Sequence, residues 1–438
     1  MTDFPSSRYD RGKIFAKTGI KVGKNYAKHY LKSISGSHKN GKSELHKQTA
    51  NDVFGEFTKL RGTALKIAQS FSIDQGFLPD EFSEVMTQAQ YKVPPINRSL
   101  VRSIIKSELG GYPETVFAGF DADAMAAASI GQVHKATLKD GREVAVKIQY
   151  PGVRETISSD ISLAKTLFRQ MVKSGSDINP YIEEIKSTLM NETNYIREGK
   201  AINRFHSRFA SDTVTTPQWI QEYSTERVLT MTYIDGQHLD EFLSTSPAQK
   251  TRDHFGQILW DFFHNQVRDH KEIHADTHPG NFLFTNNGKL GVIDFGCVKT
   301  FPEDFFYDYL QLLPTHLERD KEKIKKLYKR LDVLKADPES NKKENEYFQF
   351  CMNYGFTFAM PYLENSFHFG DPEYKKLIRG YTKNAPLSND PRGNKHFIYS
   401  TRVHLGLYHF LMKLKAEVST IKSKKIVEET ISKLKAGF

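Results

Sequence analysis

The stretch His274-Ala275-Asp276-Thr277-His278-Pro279-Gly280-Asn281 sets an Asp and an Asn five residues apart, and Asp294-Phe295-Gly296 follows thirteen residues after Asn281. Asn281 and Asp294 offer hard oxygen ligands of the kind Mg²⁺ takes while it bridges phosphates. Asp276 is suited to act as a general base or to orient a nucleophile. Taken singly these residues say little: an isolated Asp-Phe-Gly arises by chance, and His274 or His278 is more often structural than catalytic. Between the two ligands, the apolar runs Phe282 to Phe284 and Leu290 to Ile293 flank Asn286-Asn287-Gly288 and read as a hairpin, which sets the distance between them.

As a set, these residues resemble the catalytic loop and metal-binding turn of protein kinases, with the same Asp-to-Asn spacing. Upstream, Glu143-Val144-Ala145-Val146-Lys147-Ile148 resembles the kinase strand whose Lys pairs with nucleotide phosphates and a helix Glu, which makes Lys147 that Lys. The loop before it reads Ala126-Ala127-Ala128-Ser129-Ile130-Gly131-Gln132-Val133 where ordinary kinases carry G-x-G-x-x-G. Alanine methyls restrict the backbone there and limit its approach to phosphates, so a nucleotide bordered by Ala128, Ser129, Gly131 and Val133 is expected to sit differently from one in an ordinary kinase.

Working outward, 438 residues with 38% hydrophobic content suffice for two or three sub-domains and a substantial core. Two cysteines, Cys297 and Cys351, build neither a disulfide framework nor a Cys-based zinc site, which suits a reducing compartment. No run approaches the length of a membrane-spanning helix, and the start lacks the apolar core of a signal peptide. A cytoplasmic protein, peripheral to a membrane, is the expectation.

Of the net charge of +10, residues 1–50 carry +8, eleven Lys and Arg against Asp3, Asp10 and Glu44. Within them Phe15, Val22, Tyr26, Tyr30 and Ile34 form a thin apolar stripe between lysines. That pattern fits a helix lying on an anionic membrane surface first, then a helix packed on the body of the protein, then a disordered tail. No nucleic-acid motif accompanies the positive charge, so nucleic acid is not expected as a partner.

The expected fold class is α+β, a two-lobed protein-kinase-like fold with an added N-terminal helical extension. Residues 1–49 read as the basic amphipathic segment and a linker from Ser35 through Lys47, and 50–115 as a helical extension. Residues 116–235 read as the N-lobe, with strands at Gln132 to Thr137, Glu143 to Gln149 and Arg227 to Ile234, and helices at about Ile157 to Lys173 and Tyr181 to Phe209. Residues 236–438 read as a mainly helical C-lobe, and from Pro302 onward they carry no interpretable motif.

The alanine-rich loop ending Ser-Ile-Gly-Gln-Val-His, the run Val-Lys-Ile-Gln-Tyr-Pro-Gly-Val, and His-Ala-Asp-x-His-Pro-Gly-Asn together resemble the UbiB family of atypical kinases, over about Phe54 to Lys299. The resemblance implies that Lys66-Ile67-Ala68-Gln69 is the family's Lys-x-Gly-Gln motif, with Lys66 and Gln69 carried toward the nucleotide and Ala68 in place of Gly. It implies that Glu192-Thr193-Asn194 is the family's Glu-x-Asp motif with its acid replaced by Asn194, and that Thr277 stands where Pro is usual. It implies an ion pair between Lys147 and Glu198. By position, Met231, Tyr233 and Ile234 fall at the hinge that reads adenine.

The implied function is an ATP- and Mg²⁺-dependent kinase or ATPase, binding ATP/ADP and supporting ubiquinone or related isoprenoid-lipid metabolism. Its implied partners are an anionic membrane surface, an isoprenoid or quinone-like lipid, and proteins of a lipid-biosynthesis complex. A nucleotide-gated lipid-binding module without phosphoryl transfer is the alternative, with a protein kinase acting in trans behind it.

Overall fold

The computed structural model describes residues 8–34, 41–60, 67, 95–128, 130–169, 179–269, 272–383 and 392–436. They form two compact units, Met1–Lys200 with Gln218–Tyr233, and Ala201–Pro217 with Ile234–Phe438. The mixture of helices and sheets is α+β, as expected from the sequence.

In the first unit, the helices are α1 (Arg8–Ile34), α2 (Gly41–Leu60), α3 (Arg98–Leu109), α4 (Pro113–Val116), α5 (Val153–Arg169), α6 (Asn179–Glu192) and the start of α7 (Tyr195–Phe209). Its sheet is antiparallel, in the order β1 (Gly119–Phe120), β3 (Gly131–Thr137), β4 (Glu143–Gln149), β6 (Val228–Thr232), and β2 (Ala126–Ala128) also pairs with β3. The β3–β4 hairpin closes at Asp140-Gly141, where Gly141 has φ +88°, a conformation open to Gly at no steric cost. Val144, Val146 and Ile148 are wholly buried, so β4 is the spine of the sheet. The register sets Lys147 opposite Val133 on one side and Leu229 on the other.

Helix α1 packs on α2 and α5, and its buried positions Arg11, Phe15, Thr18, Val22 and Asn25 recur every three or four residues, one face of a helix. Phe15 meets Phe57 edge to face, within a core that includes Val53, Ile157 and Ile161. The polar positions find partners: Arg11 Nε donates to Asp160 at 2.8 Å, Lys21 pairs with Glu56 at 2.5 Å, and Asn25 donates to Asp52 at 2.8 Å. Phe15 and Val22 of the apolar stripe therefore face the protein core. Burying Phe15 and Val22 gains about 1.5–3 kcal/mol each, because α2 and α5 supply matching apolar surface. The outward face instead carries Lys13, Lys17, Lys24 and Lys28 around an exposed Ile20. The linker is also shorter than expected, since Gly41 through Lys47 already belong to α2.

One continuous helix was expected over Tyr181 to Phe209, and two are present. The break falls at Thr193-Asn194, where Asn194 Oδ1 accepts from Arg197 N at 3.2 Å and caps α7. An Asn side chain at this position satisfies an amide that the helix start leaves open.

In the second unit, β5 (Val214–Thr215) runs parallel to β9 (Leu290–Val292), which pairs antiparallel with β8 (Phe282–Phe284) across the expected turn. β7 (Ile273–His274) pairs with β10 (Val298–Lys299), and β11 (Ser366–His368) with β12 (Glu417–Ser419). The helices are α8 (Leu239–Ser244), α9 (Gln249–Asp269), α10 (Glu303–Glu318), α11 (Lys321–Arg330), α12 (Lys342–Ala359), α13 (Pro372–Lys383), α14 (Lys395–Leu414) and α15 (Ile421–Ala436). α9 is central, packed on α14, α15 and β12, with Trp260 and Phe262 buried. Among the described residues, no helix is long and apolar enough to cross a membrane.

Candidate active site

In the first unit, Lys147 Nζ donates to both carboxylate oxygens of Glu198, at 2.8 and 3.0 Å, so the pair expected between them is present. Both side chains are buried, 7% and 3% exposed. Glu198 arrives on the first turn of α7, a placement fixed by the Asn194 cap and by Tyr195 N donating to Glu226 O at 3.1 Å. The Lys147 ammonium also lies 5.2 Å from the centre of the Tyr195 ring, an attractive cation–π placement.

The alanine-rich segment is a strand: Ala126, Ala127 and Ala128 pair with Val133, Gln132 and Gly131. Gly131 is required there, because a Cβ would sit 2.3 Å from Ile148 O. Val133 faces Lys147 across the β3–β4 ladder. Met231 pairs with Ala145, and Tyr233 N donates to Glu143 O at 3.0 Å, so both are held to the sheet of the first unit. Ile234 begins the second unit's next segment. Ser129, Lys66 and Gln69 lie outside the described residues; Ile67, between the latter two, is buried in the core with Phe15 and Phe57. Asn194, in the place of the family acid, donates its amide to Glu226 at 3.1 Å besides capping α7.

In the second unit, β7 leads into the catalytic-type loop, and Ala275 N donates to Cys297 O at 2.9 Å. His278 Nδ1 accepts from Gly280 N at 3.0 Å and shapes the tight turn Pro279–Asn281. Asn281 Nδ2 then donates to Asp276 O at 3.2 Å, while Asn281 O accepts from Ile293 N at 3.0 Å. Loop, hairpin and Asp294 are thereby brought together. Asp294 Oδ1 accepts from Gly296 N at 2.9 Å, which sets the plane of the carboxylate.

His274 proves structural. Its Nε2 donates to Asp294 O at 2.7 Å, and its own N donates to Gln266 Oε1 at 2.7 Å. A carbonyl can only accept, so Nε2 carries the ring proton. The ring is fully buried, edge-on to Phe205 and Phe295, and burial lowers its pKa and keeps it neutral. A neutral His bonded to the backbone of Asp294 ties the loop to the Asp294–Gly296 turn.

Two residues of this site escaped sequence reasoning. Gln266 is a glutamine inside an amphipathic helix, with nothing to set it apart. Arg402, whose Nη2 lies 3.4 Å from Asp276 Oδ1, is on α14 in the stretch without motifs.

Asn281 and Asp294 fit a Mg²⁺ ion in chemistry. The amide nitrogen of Asn281 is committed to Asp276 O, so its oxygen is the atom left to ligate. No group of three or more His, Cys, Asp or Glu that could hold a metal ion occurs among the described residues.

A sheet Lys paired with a helix Glu, and a separate loop presenting Asp, Asn and Asp, define a protein-kinase-like chain. The ABC1 atypical kinase-like domain matches residues 88–328, more than half of the sequence. The chain belongs to that family, the UbiB group its motifs resemble. It is 30% identical to the probable serine/threonine-protein kinase abkA of Dictyostelium discoideum, over 78% of this chain and 64% of that protein. It is 30% identical to the mitochondrial atypical kinase COQ8 of Saccharomyces cerevisiae, over 86% of this chain and 76% of that one. A Mycobacterium tuberculosis protein solved in complex with erythromycin is 25% identical with a TM-score of 0.60, covering 90% of this chain and 98% of its own. The chain thus spans slightly under two thirds of the Dictyostelium relative.

Proposed function

We propose that this protein is an ATP- and Mg²⁺-dependent atypical kinase or ATPase that supports ubiquinone or related isoprenoid-lipid metabolism as a peripheral protein at an anionic membrane surface. The observation that carries the reading is the buried Lys147–Glu198 pair. Taking two charges out of water costs several kcal/mol per ion, and their attraction rarely returns much more, so a buried pair is weak as a stability device. In this family context its use is to hold an ammonium at a fixed point for nucleotide phosphate.

In the reaction, the oxygen of water or of an acceptor hydroxyl forms a bond to the γ-phosphorus as the bond from that phosphorus to ADP breaks. Asp276 orients the attacking group and takes its proton. Asn281 and Asp294 would hold Mg²⁺, which supplies charge neutralisation on the phosphates. The outward lysines of α1 and Ile20 support contact with anionic lipid, and family membership supports an isoprenoid or quinone-like lipid and partner proteins of a lipid-biosynthesis complex.

One observation favours a second reading, a nucleotide-gated lipid-binding module. Residues 126–128 are engaged in a ladder with β3, so fewer of their amides are left for phosphate than in a glycine-rich loop. Mg²⁺-dependent ATP hydrolysis with and without anionic liposomes, beside Asp294→Asn, separates the two. Turnover lost in the variant supports the enzyme. Tight nucleotide binding with no turnover in any condition supports the module.

A further inference from the structure

Helix α14 lies beyond the residues the family domain matches, yet one of its faces meets the catalytic-type loop and the strand after the metal-binding turn of the same unit. Tyr399, Arg402 and Gly406 stand at i, i+3 and i+7 and so share that face. The Tyr399 ring lies under Lys299 Nζ, 4.5 Å from the ring centre, on β10. Arg402 Nη2 reaches Asp276 Oδ1 at 3.4 Å. At Gly406 a Cβ would sit 1.6 Å from Thr277 Oγ1 and 2.6 Å from Thr277 Cβ, so the helix backbone touches the residue next to Asp276. Glycine is a poor residue inside a helix, and this close approach accounts for it.

α14 is a firm support. Asn394 caps its start with bonds to His396 N and Phe397 N at 3.0 Å, and its side chains Val403, Leu407 and Leu411 are buried. Tyr408 OH donates to Phe358 O at 2.7 Å and His404 Nδ1 meets Tyr309 OH at 2.9 Å, which tie it to α12 and α10.

We propose that Arg402 is a positioning residue for Asp276, held in place by the close docking of Gly406 on Thr277. This rests on the ATP-dependent reading of the site. A 3.4 Å contact between partly exposed side chains adds little to folding stability. The same contact restrains the carboxylate that must face the attacking group, and orientation of that kind governs rate far more than it governs stability. A guanidinium suits the task because its donors are fixed in one plane.

The test is steady-state Mg²⁺-ATP turnover by the full chain, comparing wild type, Arg402→Met and Arg402→Lys, with thermal melting of each. Arg402→Met is expected to lower kcat by about 10- to 100-fold, the cost of a misplaced catalytic group. The KM for ATP should move by less than about threefold, since Asp276 serves the attacking group rather than nucleotide binding. Arg402→Lys, which keeps the charge, should recover part of the loss, and the melting temperatures should stay together. Wild-type kcat in Arg402→Met, or Arg402→Lys no better than Arg402→Met, overturns the inference while leaving the functional reading intact. Absence of turnover in the wild type overturns both. Should Arg402→Met fail to fold, Arg402→Gln takes its place: a fall in kcat at near-constant KM supports the positioning role, and wild-type kcat refutes it.

Discussion

At the scale of single residues, the buried Lys147–Glu198 pair gives the sharpest prediction. Lys147→Met leaves a carboxylate only 3% exposed without its ammonium, which should destabilise the protein by about 3–5 kcal/mol. The double variant Lys147→Met with Glu198→Leu should lose distinctly less, because no orphaned charge remains; urea unfolding of the two variants decides it. His264 gives a pH prediction. Its ring is buried between Trp260 O at 2.7 Å and Tyr362 OH at 2.6 Å, and burial lowers its pKa to about 3. The unfolded chain takes up that proton first as pH falls below about 6.5, so folded stability declines from there toward pH 3, with a slope of up to about 1.4 kcal/mol per pH unit for this one group. His264→Leu should flatten the slope between pH 6.5 and pH 4; an unchanged slope would assign it to other histidines.

At the scale of elements, the buried face of α1 and the proposed membrane-facing one can be tested apart. Phe15→Ala removes a ring packed on Phe57 and should cost about 3–5 kcal/mol in urea unfolding. Reversing Lys17, Lys24 and Lys28 to Glu should leave melting nearly unchanged and weaken sedimentation with anionic liposomes, each lost cation removing about 1 kcal/mol near a charged surface. Liposome binding that persists in the reversed variant would remove this face from the proposed membrane contact. The strands β3, β4 and β6 and the β8–β9 hairpin were legible because β-branched alternation and an Asn-Gly turn are local signals. The side on which α1 buries Phe15 and Val22 was not, because that depends on Ile157 and Ile161, far along the chain. The break at Asn194 was missed for the opposite reason: the apolar period runs through it, and only the cap reveals the stop.

At the scale of the whole molecule, the loop residues and Lys147 stood out in the sequence because their spacing is itself the signal. Arg402 did not, since no short-range pattern connects it to Asp276. The chain passes from one unit to the other after Lys200, returns at Gln218 and leaves again after Tyr233. Neither unit is therefore continuous, and β6, which covers the edge of β4, is made only after α7 and residues 201–217 have been laid down. On the ribosome, β4 emerges with one flank bare and keeps it so until residues 228–232 follow, the state in which a strand pairs with the wrong neighbour. Nascent chains halted before residue 228 should then be held by chaperones and cleaved readily by protease, and chains halted after residue 233, with room to clear the exit tunnel, should resist cleavage across β3 and β4.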